Sequence, residues 1–190
     1  MNGYYEWHGL KYVPSWGGSA FEALMSTLVL DEEKYAPNSL GINNLMHAMI
    51  HRRYALEELG YPVWGMSSSS TIERNGYTEY GVKILGSKGY KDGVVTPHAS
   101  ALALTITPKE ALANLRRLVE LYDIYGEFGL YDAVDPITGE VAFKYLVLDQ
   151  AMILLAVANY LQDRHIQRVF ASDPIAAKAL PLIGEESFFE

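Results

Sequence analysis

The run from Tyr145 to Leu161, YLVLDQAMILLAVANYL, contains one charged side chain, Asp149, with Gln150 directly after it. A stretch so apolar has to be covered by protein or by lipid, and this limits the folds open to the chain. At 17 residues, with Asp149, Gln150 and Asn159 inside it, the run falls short of the ~20 apolar residues that a bilayer span needs. A buried core helix and no membrane span are expected. Asp149 then needs a reason, because taking an ionised carboxylate out of water is expensive unless a partner or a proton compensates.

A chain of 190 residues suits one domain or a piece of a larger one. Apolar residues at 49% and charged residues at 20% mark a packed protein. The net charge of −8 and the lack of a basic stripe argue against nucleic acid as a partner. Without cysteine there is no disulfide framework and no Cys-based zinc site, and the redox compartment is left open. The start, MNGYYEWHGLKYVPSW, has neither the basic nor the apolar region of a signal peptide. Location stays open between the cytoplasm and, for a piece of a longer chain, the periplasm or cell envelope.

Prolines and glycines punctuate the helices. Ser19 and Glu22 form an S-x-x-E capping box ahead of a helix at 20–30, and Thr107 with Glu110 forms another. A second helix is expected over 40–59, ending at Gly60. Thr96-Pro97 and Thr107-Pro108 each set a cap before proline and start helices running to about 104 and 122. Asp173-Pro174 marks a last helix start. The segment 63–95 has little periodicity, includes Ser67 to Ser70 in a row, and reads as a long functional loop. Strand signals are confined to 83–85 and 141–145. The class is all-α, helices alternating with loops rich in Gly, Tyr and Trp.

Generic motifs are few. His47 and His51 have the i, i+4 spacing of a metal pair, but Ala48 stands where an HExxH motif needs Glu, so no metal is expected. No phosphate loop and no G-x-S-x-G elbow occur. What remains is carboxylates among aromatics. Glycoside cleavage needs two carboxyl groups flanking the scissile bond, one protonated and one ionised. Glu22, Glu79, Glu127, Asp132, Asp135 and Asp149 are the candidates, on loops or helix starts. Bland readings compete: a capping box for Glu22, the helix dipole for Asp149, a turn for Asp135. Fourteen Tyr and three Trp, many of them in loops, suit either packing or flat faces for pyranose rings.

Six segments occur in an order that makes the resemblance specific: PSWGGSAFEALMSTLVL, YPVWGMSSS, YGVKILG, DGVVTPHASALAL, YGEFGLYDAVDP and YLVLDQAMILLAVANYL. Over about Val13 to Leu161 the chain resembles the glucoamylase-like (glycoamylase) domain of bacterial β-1,2-glucanases and cyclic β-1,2-glucan synthases. That resemblance implies an (α/α)6 toroid with a sugar cleft at the inner helix starts, and so places Asp149-Gln150 at the cleft. The chain supplies about half the helices of a closed toroid. It is therefore expected to be a single domain, 1–190, corresponding to the C-terminal half, with 63–95 as the cleft loop. A homodimer or the missing N-terminal half is the implied protein partner.

The resemblance further implies an oligo- or polysaccharide ligand and hydrolysis of a bacterial β-glucan, β-1,2-linked, without cofactor. Glu22, Asp132 and Asp149 are its catalytic candidates. Trp16, Trp64, Tyr80 and Tyr131 would stack on sugar, and Glu79, His98 and Gln150 complete the substrate-binding set. One departure matters: relatives often carry a carboxylate in the loop after the Trp-Gly pair, where this chain has Met66 and four serines. The second expectation is accordingly a non-catalytic, glycan-binding or assembly half of a split toroid. A third is a helical interaction scaffold.

Overall fold

A computed structural model describes residues 3–73 and 76–189. Helices dominate: α1 Ala20–Leu24, α2 Glu32–Tyr35, α3 Ile42–Arg53, α4 Pro97–Leu102, α5 Pro108–Leu121, α6 Val147–Leu161, α7 His165–Ala171 and α8 Pro174–Ile183. The described residues are mostly helical, as expected. Among the described residues, four two-stranded antiparallel pairs join the helices: β1 Tyr5–Trp7 with β2 Leu10–Tyr12, β3 Ser69–Ser70 with β4 Tyr77–Thr78, β5 Tyr125–Gly126 with β6 Gly129–Leu130, and β7 Ala133–Val134 with β8 Val141–Ala142. Most are two residues long, too short to write a period into the sequence. The strand expected at 83–85 is instead a 3₁₀ turn, while that at 141–145 forms only over 141–142.

Helix α4 is the hub. All six of its residues are buried, and it packs against α1, α5 and α6. Small side chains, PHASAL, let the neighbours approach closely. Leu24, Ile50, Met66, Leu85, Leu102 and Met152 form the bulk of the main core around it. The loop 63–66 lies against this hub through Asn114 of α5. Its Oδ1 accepts from Trp64 N at 3.1 Å, and its Nδ2 donates to Trp64 O and to Ser100 Oγ, both at 2.7 Å. Asn114→Ala strands these buried backbone groups and is expected to destabilise the fold by about 3 kcal/mol, readable by urea titration.

Two expectations about helix ends and faces are overturned. Neither Ser19 nor Thr107 makes a side-chain cap bond. Ser19 Oγ instead meets Ser67 Oγ at 2.9 Å, tying the start of α1 to the serine row. Asp173 does cap α8, accepting from Ile175 N and Ala176 N. Helix α6 is not a fully buried core helix. It packs on α4 and α7, but its far face leaves Val147 86%, Leu154 69% and Leu161 71% exposed. No helix of the described residues is long and apolar enough to cross a membrane.

Gly18 holds the loop before α1 in place. Its φ is +81°, and a Cβ there would lie 2.1 Å from Val82 O, whose own N–H donates back to Gly18 O at 2.9 Å. Only glycine suits both demands. This close approach joins the Trp16 loop to the long segment 63–95.

Candidate active site

The puzzle of Asp149 is resolved by tertiary partners. Asp149 lies in the first turn of α6 and is 4% exposed. Asp132 sits between β6 and β7 at 1% exposed, its N–H donating to Lys144 O at 3.0 Å. Its Oδ2 accepts from Ser70 N at 2.7 Å. His98, the second residue of α4, is buried beside them with Nδ1 3.4 Å from Asp149 Oδ2. Burial first, and then the hydrogen bond and charge of Asp132, push Asp149 up to about 8. Burial pushes His98 down to about 4, against the pull of Asp132, so its imidazole is neutral at pH 7. At neutral pH Asp149, raised well above the usual carboxylate range, therefore brings a proton for the pair to share.

These three residues are also the group among the described residues whose donor atoms converge for a cation, all lying within 4.8 Å of one another. The proton on Asp149 already relieves the carboxylate repulsion that a cation would relieve. His47 and His51 do not form a comparable site. His47 Nε2 is 2.8 Å from Val13 O, and both rings are buried without a carboxylate partner.

Separation limits what the pair can do. Carboxyl groups flanking a glycosidic bond stand about 5–5.5 Å apart in retaining enzymes and about 6.5–9.5 Å in inverting ones. Two carboxyl groups that share a hydrogen bond are closer than either. Asp132 and Asp149, with carboxyl oxygens within 4.8 Å of each other, are therefore too close to flank such a bond as a pair.

A second acidic group lies across the Tyr-rich loop. Glu22 Oε2 accepts from Gly17 N at 2.7 Å, and the Glu22 carboxylate also accepts from the Tyr90 hydroxyl. Burial and then Glu22 hold Tyr90 at about 12, so it remains a donor. Glu79 and Tyr77 lie in the same electrostatic neighbourhood. The Tyr77 hydroxyl reaches Ser68 and feels Asp149 and Asp132, which links the two acidic groups. Ser70, Tyr77 and Tyr90 are absent from the expected set. Their only trace in sequence is the serine row and the tyrosine density of segment 63–95.

The aromatic candidates divide. Trp16 is 60% exposed, with Lys88 Nζ 5.6 Å above its ring. Tyr131 is half-buried, tilted 32° on Tyr145 at 4.9 Å and edge-on to Phe143 at 5.0 Å. Trp64 and Tyr80 are corrections. Trp64 is buried in the main core at 3% exposed, its backbone pinned by Asn114. Tyr80 is buried with Val94, Ala133 and Ala142. His98 is likewise buried, its Nδ1 against Asp149. Gln150 spends its amide on Leu130 O at 3.0 Å and so positions the loop carrying Asp132. Glu127 is exposed on the β5–β6 turn, and Asp135 accepts from Ile137 N and Thr138 N in a turn of its own.

Comparison with known proteins shows what the chain is similar to. The Glycoamylase family model, of glucoamylase-like domains, matches residues 2–174. The chain is 33% identical over 188 residues to the cyclic beta-(1,2)-glucan synthase NdvB of Rhizobium meliloti, covering 91% of this chain and 6% of that protein. It is 25% identical over 193 residues to the exo beta-1,2-glucooligosaccharide sophorohydrolase of Parabacteroides distasonis, covering 96% of this chain and 26% of that enzyme. Among solved structures, an endo-beta-1,2-glucanase from Chitinophaga pinensis in complex with sophorotriose and glucose has a TM-score of 0.77 at 23% identity. That match covers 95% of this chain and 46% of the other, and at such identity it establishes likeness of fold. The chain thus spans about a quarter or less of the curated relatives. Since the matched residues take in α1 through α7 with both acidic groups, the chain belongs to the glycoamylase family.

Proposed function

We propose that this chain forms one wall of a β-1,2-glucan cleft of glycoside hydrolase type, within an (α/α)6 toroid of which it supplies the C-terminal half. The buried, proton-sharing Asp149–Asp132 pair carries this reading. A carboxyl kept protonated at neutral pH is the requirement for a general acid toward a leaving glycosidic oxygen. Asp132 holds the acid in place and accepts its hydrogen bond. The opposite carboxylate is Glu22, or Glu79 beside it, or one supplied by the rest of the toroid. Trp16 and Tyr131 give sugar-facing rings, and His98 is a positioning residue behind the pair.

Incubation with linear β-1,2-glucan, following new reducing ends beside calorimetric binding, tests the proposal. Turnover that vanishes in Asp149→Asn is the expected result; neither binding nor turnover contradicts it. Trp16→Ala should weaken oligosaccharide binding by about ten-fold, since covering ~60 Å² of ring face contributes about 1.4 kcal/mol. The second reading, binding without turnover, is favoured by the closeness of Asp132 and Asp149 and by the serines at 67–70. The exposed apolar face of α6 supports a covering partner, either a second copy or the N-terminal half. A monomer by light scattering would count against both.

A further inference from the structure

A separate cavity of about 230 Å³ is lined by the apolar Leu30, Ile42 and Leu45 and by the polar Glu32, Asn44 and Gln167, with Arg164 also in its wall. It lies away from the carboxylate pair. Gln167 N donates to Asn159 Oδ1 at 3.3 Å, and Asn159 is ten residues along α6 from Asp149, about 15 Å of helix.

Glu32 is 4% exposed, and its hydrogen-bond partners, the Asn44 amide and the Ser26 hydroxyl, are neutral. The flanking Asp31 and Glu33 are both taken up by Arg164. Buried carboxylates are ordinarily matched by a cation, but among the described residues Glu32 makes no salt bridge, and Arg164, the cation in the same cavity wall, is spent on Asp31 and Glu33. Desolvation accordingly pushes its carboxyl upward. Gln167, 3% exposed, spends its Nε2 on Thr27 O at 2.6 Å and Leu30 O at 3.5 Å. That leaves Gln167 Oε1 as a buried acceptor without a protein partner. The cavity therefore combines two unmatched acceptors, Glu32 and Gln167 Oε1, with a hydrocarbon lining. This combination suits neither an anion nor a fully hydrated metal ion.

We propose that this cavity binds a small organic cation bearing a primary ammonium, its N–H groups donating to Glu32 and Gln167 Oε1 and its short alkyl body lying against Leu30, Ile42 and Leu45. The site is independent of the glucan reading.

Calorimetry of the full chain with n-butylammonium chloride, against n-butanol as a neutral match in shape, tests it. Saturable binding of the ammonium, with the alcohol about ten-fold weaker or more, is expected. Glu32→Gln should lower the ammonium affinity by about ten-fold and leave the alcohol unchanged. If circular dichroism shows that this variant fails to fold, Gln167→Met removes the other acceptor at similar volume and should show the same selective loss. Absence of saturable binding, meaning a water-filled cavity only, overturns the proposal. So does equal affinity for the alcohol, or ammonium binding that survives loss of these acceptors.

Discussion

Asp149→Asn is expected to melt several degrees above the unmutated chain near pH 8, the gap narrowing as pH falls and closing only toward pH 3.8. The sign follows from the titration of Asp149, whose folded value of about 8 lies above the ordinary 3.8. Between those values the folded state binds more protons than the unfolded state, so stability is fully present at the acid end. It falls as pH rises through the window, by at most about 1.4 kcal/mol per unit for one group. Asparagine keeps the neutral shape and an N–H donor for Asp132, and it has no proton to lose. Allowing for relaxation and water entry, the difference near pH 8 should be on the order of 2–4 kcal/mol. That corresponds to roughly 2–4 °C per kcal/mol in a chain of this size. Differential scanning calorimetry across pH reads it directly; a variant less stable than the parent near pH 8 contradicts it. Glucan hydrolysis should be lost in the same variant, a stability gain bought at the site of chemistry.

The second large effect is expected from Asp132→Asn. Asparagine Oδ1 still accepts from Ser70 N–H, so the loop 67–70 should keep its place. What disappears is the negative charge against Asp149. The Asp149 carboxyl should then drop from about 8 but stay above the usual carboxylate range, because burial is its first cause and persists. The alkaline limb of any pH–rate profile should move to lower pH, and turnover should fall by about 10²–10⁴-fold, as for loss of a general acid–base unit. Asp132→Ala adds a structural penalty: the buried Ser70 N–H loses its acceptor, costing about 1–3 kcal/mol. A pH profile unmoved by Asp132→Asn would separate Asp132 from the proton on Asp149.

Helix positions were legible where a backbone rule acts locally. Proline at the first position starts α4, α5 and α8 as the sequence implies. Hairpins two residues long leave no such mark, and neither does the 3₁₀ winding at 83–85. The site was half legible. Asp149 stands out because it interrupts an apolar run, but its partner, Asp132, is 17 residues away and is joined to it by packing. Glu22 fits a capping pattern perfectly in sequence, yet Gly17 N and Tyr90 take its carboxylate instead, which frees it from the bland role. Trp16 and Trp64 each precede a glycine, and local sequence cannot separate the exposed ring from the one locked in the core. The same holds for α6. An apolar run says that cover is needed, not that this chain provides it on every side.

The most direct measurement is a carboxyl NMR titration of Asp149 in isotope-labelled protein, with and without a β-1,2-linked gluco-oligosaccharide. A midpoint close to 8 that moves when the oligosaccharide is added is the predicted result, placing the shared proton in the glucan site. A midpoint in the ordinary carboxylate range, or one indifferent to saturating oligosaccharide, would contradict the account.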